Sequence, residues 1–203
     1  MKKTLFTAIV LAGITFNQGL AADKLKSFDH AAELTSQAKT ILFQELNIAK
    51  VPNSGHQQIV CLAENIYFEA RAESMEGKAG VANVTRNRVN DARWPSTYCE
   101  VVQQGPVRES WKTKKNPDLA DEDRVYYPRK HRCQFSWYCD GKSDKPKDNM
   151  SWIVAQVVAY NTLYGYHKDN THGATHYHAT YVNPWWRKHY DKTVAHGSHI
   201  FYK

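Results

Sequence analysis

Four cysteines behind an export signal limit what this chain can fold into more than any other feature of its sequence. Lys2 and Lys3 form a basic start, and Leu5 to Phe16 is mostly apolar and uncharged. Gly19 and Ala21 match a small-x-small cleavage pattern, with Ala22 as a near alternative. Residues 1–21 therefore read as a signal peptide, too short for a comfortable membrane span; the alternative is an uncleaved anchor. No cysteine follows the apolar stretch, which disfavours a lipoprotein, and no later run is apolar enough to span a membrane. The expected mature protein is exported, in the periplasm or secreted, with no integral membrane segment.

In an oxidising compartment an even set of cysteines favours disulfides. Cys61, Cys99, Cys133 and Cys139 allow more than one connectivity. Cys133 and Cys139 are close enough for a local loop, which leaves Cys61 with Cys99. The C-x2-C spacing of a structural zinc site is absent.

Charge narrows the partners. The formal net charge is +7, and loss of Lys2 and Lys3 with the signal leaves +5. A basic exported protein is drawn to polyanions, here cell-wall polymers and anionic lipids rather than nucleic acid. A recognisable nucleic-acid module is missing. With 42% hydrophobic residues and 12 Tyr, 7 Phe and 6 Trp, the chain can bury a core, so whole-chain disorder is excluded.

Three segments organise the chain: the signal at 1–21, an amphipathic helix and linker over 22–55, and the main domain over 56–203. The linker is Val51–Gly55 (VPNSG), rich in helix breakers. In the main domain, helical periodicity covers Gln57–Arg71, Lys78–Val89 and Ser151–Tyr164, with a short helix near Tyr98–Gln104. Ser151 is the expected N-cap of the third long helix and Gly165 its C-terminal stop. Ala174–Val182 and Val194–Tyr202 read as strands, with Pro184, Trp185 and Trp186 shaping the loop between them. Helices first and a small β region after make an α+β domain. Gly105–Arg132 is dense in mixed charge and reads as a solvated excursion; Trp111, Tyr126 and Tyr127 leave a ligand-facing lid open.

Among residues that can do chemistry, Glu69 stands near the end of a largely apolar helix, flanked by Tyr67 and Phe68. Aromatic walls strip water from a carboxyl and raise its pKa, as a general acid requires. The bland alternative is a solvated Glu paired with Arg71 or Lys78. Glu73 shares its face if the helix continues. His172, His176, His178, His196 and His199 raise a second possibility, because H-x-H on a strand points both imidazoles one way and can make half of a zinc site. That reading gives a zinc-dependent peptidoglycan peptidase or amidase, although H-E-x-x-H is missing. Arg86, Asn87 and Arg88 are expected to be salt-bridged at the packing of two helices.

Six blocks, in order, resemble the SleB-like cell wall hydrolases, the family of spore cortex-lytic enzymes and their relatives. They are AENIYFEARAE (63–73), GKAGVANVTRNRV (77–89), YCEVVQQ (98–104), CQFSWYCDG (133–141), GATHYH (173–178) and GSHIFY (197–202). The likeness spans about residues 58–202. It implies a lysozyme and lytic-transglycosylase-like fold, with a helical lobe, a small antiparallel β lobe and a groove between. It also implies cleavage of peptidoglycan glycan strands between N-acetylmuramic acid and N-acetylglucosamine, with Glu69 as the general acid. Ala72 stands where Gly often follows the Arg, which leaves the turn after Glu69 open.

A lytic transglycosylase needs that one carboxylate; a muramidase would add a second, for which Glu73 and Asp140 are candidates. The resemblance puts Gln134, Phe135, Ser136, Trp137, His176 and Tyr177 at the groove; core packing is the equal alternative for Phe135 and Trp137. No cofactor or resident metal is expected, and a monomer is. A non-catalytic glycan-binding envelope protein on the same fold is the contrasting expectation.

Overall fold

The computed structural model describes residues 53–203. The expected signal segment and the expected N-terminal amphipathic helix lie outside the described residues.

Helix α1 (Asn53–Ala70) is the hub, packing against α2 (Met75–Val89), α3 (Tyr98–Val102) and α5 (Asn149–Leu163). Contact with all three explains why its buried residues do not form one narrow stripe: Ile59, Leu62, Ala63, Ile66 and Tyr67 are all within 1% exposure. Full burial of each large aliphatic among them contributes about 1.5–3 kcal/mol. The helix begins at Asn53, inside the expected linker.

Both expected cysteine pairs are disulfide-bonded, Cys61 to Cys99 and Cys133 to Cys139. The first ties α1 to α3. The second closes the loop that carries the 3-10 helix Ser136–Cys139.

α2 starts at Ser74, whose hydroxyl accepts from the Gly77 N–H. α5 starts two residues before the expected cap: Asp148, not Ser151, accepts from the N–H groups of Met150 and Ser151. A carboxylate at that site also faces the positive end of the helix dipole. The far end is the expected glycine stop. Gly165 adopts φ +75, Tyr166 N–H donates to Asn161 O, and Gly165 N–H donates to Thr162 O.

The β lobe is a three-stranded antiparallel sheet in the order β3 (His176–Ala179), β5 (His199–Tyr202), β4 (Lys192–His196). The expected strand Val194–Tyr202 is thus a hairpin, turned at Gly197 and Ser198. Periodicity of side-chain type continues through this turn, so alternation alone did not reveal it. The sheet docks on α2 through Phe201, whose ring occupies the space where a Cβ at Gly80 would lie, 2.5 Å from the ring edge.

The charged excursion has structure of its own. β1 (Val107–Glu109) pairs antiparallel with β2 (Tyr126–Pro128), and α4 (Trp111–Lys114) lies between them. Arg124 staples this unit, pairing with Glu109 at 2.8 Å and donating to the carbonyls of Pro117 and Leu119. Trp111, Tyr126 and Tyr127 are exposed.

Candidate active site

Glu69 sits in the last turn of α1. Its Oε2 accepts a 3.0 Å hydrogen bond from the Tyr177 hydroxyl, supplied by β3. Tyr177 packs against the helical core of Val101, Val102, Phe135 and Trp137 and also against the Val84–Ala174–Phe201 cluster beneath the sheet. The bond therefore forms where the two lobes meet. Loss of hydration raises the pKa of Glu69, against the opposing pull of the Tyr177 bond and the Arg88 charge. Tyr177 is itself pushed well above its ordinary value by lost hydration and by Glu69, so it stays a donor. A carboxyl in this state can hold a proton and deliver it to a leaving oxygen.

Two cavities are lined by neighbours of Glu69, which itself lines neither. One, of about 410 Å³, is lined by Tyr67, Phe68, Arg71 and Trp137 together with the Asp140–Lys147 loop. The other, of about 870 Å³ and open to solvent, is lined by Tyr177, Arg88, His176, Gln104, Gln134 and Arg132, with Trp185, Trp186 and Tyr190 also in its wall. The residue before Glu69 borders the first, and its hydrogen-bond partner borders the second. Trp185 and Trp186 thus line a cavity, beyond the loop-shaping role expected of them.

The other expected site residues divide. Gln134, His176 and Tyr177 border the larger cavity, and Trp137 and Asp140 the smaller. Trp137 is also structural: its ring stacks on Phe68 at 4.7 Å and its Nε1 donates to buried Asn65. Phe135 is a core residue, 4% exposed, with the Arg88 guanidinium 5.4 Å from its ring centre. Ser136 is exposed at the start of its 3-10 helix and is not among the residues bordering either cavity.

Glu73 is not on the Glu69 face, because α1 stops at Ala70 and the chain turns, with Glu73 N–H donating to Ala70 O. Its carboxylate instead accepts from both the N–H and the hydroxyl of Ser198, in the β4–β5 turn. Burial works to raise its pKa, but the Ser198 bonds, with His199 and Lys78 adding, outweigh that and hold it low. Asp140 accepts from Lys142 N–H at 2.7 Å and pairs with its ammonium at 3.4 Å.

His176 and His178 do share a face, as expected, but both rings pack in an aromatic box with Trp186. His178 donates from Nδ1 to Ala179 O and shares a bond with the Tyr202 hydroxyl through Nε2. Lost hydration, with Arg88 and Arg93 nearby, lowers His176 to about 4, so it is neutral at physiological pH. Among the described residues no three His, Cys, Asp or Glu side chains converge as metal ligands.

The sequence reading missed Arg88. It expected ion pairs for Arg86 and Arg88, yet both donate to backbone carbonyls: Arg86 to Thr162 and His167, Arg88 to Thr175 at 2.7 Å. Asn87 adds bonds to Asp169, Thr171 and Ala174. The triplet fastens the segment that leads into β3. Arg88 is 2% exposed, lies 4.2 Å over the Trp94 ring, and acts electrostatically on both Glu69 and Tyr177. The only sequence signal for it was a pair of arginines in the last turn of a mixed-polarity helix.

A cell wall hydrolase family profile matches residues 72–202. The matched span begins three residues after Glu69, so that residue rests on its own motif and geometry. The fold is similar to the crystal structure of the catalytic domain of the Bacillus cereus SleB protein, at 23% identity and a TM-score of 0.50, over 75% of this chain and 95% of that one. It is also similar to the catalytic domain of the germination-specific lytic transglycosylase SleB from Bacillus anthracis, at 22% identity and a TM-score of 0.52, over 75% of this chain and 100% of that one. The expected lysozyme-like α+β architecture is borne out by these likenesses. No curated protein matches the chain.

Proposed function

The chain belongs to the cell wall hydrolase family, and from that premise we propose that it is a lytic transglycosylase with Glu69 as its single general acid and base. Its substrate is peptidoglycan outside the cytoplasm, in the periplasm or beyond the cell. The bond cut joins N-acetylmuramic acid to N-acetylglucosamine.

The observation that carries this reading is the Glu69 carboxyl, short of hydration and held at one oxygen by Tyr177, which borders the larger cavity. Tyr177 fixes Oε2, which leaves Oε1 to carry the proton toward the glycosidic oxygen. As that bond breaks, the electron pair leaves with the protonated oxygen and positive charge develops on the muramic ring. Glu69 is then a carboxylate, stabilised by the Tyr177 hydroxyl and the Arg88 charge. It takes the proton of the muramic 6-hydroxyl as that oxygen closes on the anomeric carbon, giving a 1,6-anhydro end. Atoms balance without water. A single-carboxylate route is supported by the engagement of Glu73 with Ser198 and of Asp140 with Lys142.

Digestion of purified peptidoglycan with and without EDTA, with mass spectrometry of the new ends, tests the proposal. Anhydromuramic ends are expected, insensitive to EDTA and absent with Glu69→Gln. Reducing muramic ends would replace the transglycosylase with a muramidase. Peptide ends that vanish with EDTA would overturn the glycosidase reading.

A further inference from the structure

Arg88 helps to stabilise the Glu69 carboxylate in the proposed cleavage, yet its guanidinium also borders the larger cavity. It is 2% exposed, and its Nη1 is buried with no hydrogen-bond partner. No carboxylate among the described residues forms an ion pair with it. A buried guanidinium without a counter-ion is costly, and this one remains charged at neutral pH, its pKa brought down only to about 10. It borders the larger cavity, where Arg132 adds a second cation at the exposed rim. Gln104 adds a buried, unpartnered Oε1. None of the residues lining this cavity is acidic, whereas the smaller cavity mixes Asp140 and Asp144 with its lysines. Glu69 is the carboxyl whose charge acts on the guanidinium, and while it holds its proton it supplies no counter-charge.

We infer that the larger cavity is a subsite for an anionic sugar: a muramic acid residue whose lactyl carboxylate is free, as on glycan strands stripped of their stem peptides. The argument is one of reach. Arg88 lies beside the Glu69–Tyr177 pair, so the anion it meets must be carried by a sugar at or next to the scissile bond. In a peptide-bearing strand the lactyl carboxyl is tied up as a neutral amide, and the nearest stem carboxylate lies beyond an alanine, further out. Only the stripped sugar brings a carboxylate to that depth. A guanidinium binds a carboxylate through paired, charge-assisted N–H donors, which a neutral amide cannot match. Trp185, Trp186 and Tyr190 in the cavity wall provide flat faces for the pyranose ring.

The inference rests on the glycosidase reading, so its test separates the two. The probe is a tetrasaccharide of alternating N-acetylglucosamine and N-acetylmuramic acid, made with free lactyl carboxylates or with the same groups as carboxamides. Binding of each to the Glu69→Gln protein is measured by calorimetry. The free carboxylate is expected to bind about tenfold or more tightly than the carboxamide. Arg132→Gln, a surface change, should narrow the gap in part, and Arg88→Gln should abolish it. Should Arg88→Gln fail to fold, Arg132→Gln alone decides. Equal affinity for the two sugars, or a carboxylate preference that a folded Arg88→Gln leaves untouched, overturns the subsite; where Arg88→Gln does not fold, a preference that Arg132→Gln leaves untouched does so. If wild-type protein still cuts peptidoglycan glycan strands in that event, only the subsite falls. If it cuts none, the glycosidase reading falls with it.

Discussion

Glu69 and Glu73 are four residues apart and carry the same carboxyl, yet the fold moves their pKa values in opposite directions. Glu69 remains on the helix, loses water to the lobe interface and gains one donor, the Tyr177 hydroxyl; its pKa rises. Glu73 leaves the helix and meets two donors from Ser198 with cationic and imidazole neighbours; its pKa falls. The first is kept ready to exchange a proton. The second is kept ionised, as the pin that holds the β4–β5 turn to the helical lobe. Gly197 belongs to this pin, since its φ is +55 and a Cβ there would lie 2.1 Å from the Glu73 carboxylate. Burial and donors both separate the two carboxyls: Glu69 is the more deeply buried and meets one donor, Glu73 is the less buried and meets two.

The comparison breaks most sharply in activity. Glu69→Gln is expected to cost about 10²–10⁴-fold in glycan cleavage, the usual worth of general acid–base catalysis, in a folded protein. A folded Glu73→Ala protein should keep cleaving; equal loss in both variants, measured on the same peptidoglycan, would put Glu73 in the chemistry.

Stability reverses the ranking. Glu73→Ala removes a carboxylate from two hydrogen bonds and should cost about 1.5–3 kcal/mol in denaturant unfolding. The sign with pH follows from the lowered pKa: the stabilisation is present above the ordinary carboxylate pKa of 4.5 and is lost as pH falls through the lower folded value. The gap between wild type and Glu73→Ala should therefore close on the acid side.

Tyr177→Phe sharpens the other half. It removes a bond that lowers the Glu69 pKa, so the alkaline limb of the pH–rate profile should move to higher pH, with about a tenfold fall in rate. A limb that stays in place would detach Tyr177 from the titrating group.

The smallest effect is a gain. A raised carboxyl pKa favours the fold below the unfolded pKa and withdraws that support as pH rises through the carboxylate range and up to the folded value. Glu69→Gln should thus melt slightly higher than wild type at neutral pH, with the advantage gone in acid. Calorimetric melts at the two pH values read this directly.

How much of this was legible depended on the distance between interacting residues. The helices of the main domain and the cysteine pairing could be read because periodicity, turn residues and loop length are local. The loss of hydration at Glu69 agrees with its place on a largely apolar helix, but the hydroxyl it accepts from is that of Tyr177, 108 residues away. The Asp148 cap was missed by three residues because Ser151 is an equally good local candidate, and Asp148 in fact bonds the Ser151 hydroxyl as well. The short strands of the excursion were hidden by charge: both faces of the β1–β2 ribbon are largely exposed, so no apolar alternation marks them.

Local sequence pattern was enough for the α+β order, the even set of cysteines, and a carboxyl near the end of a largely apolar helix. Only the tertiary structure decided what the charges do. Tyr177 reaches Glu69 across 108 residues, Ser198 reaches Glu73 across 125, and Arg88 is sealed by Thr175 across 87. A side chain's pKa and its partners depend on the water and donors within a few ångströms, and in this fold those are supplied by segments that no local pattern connects.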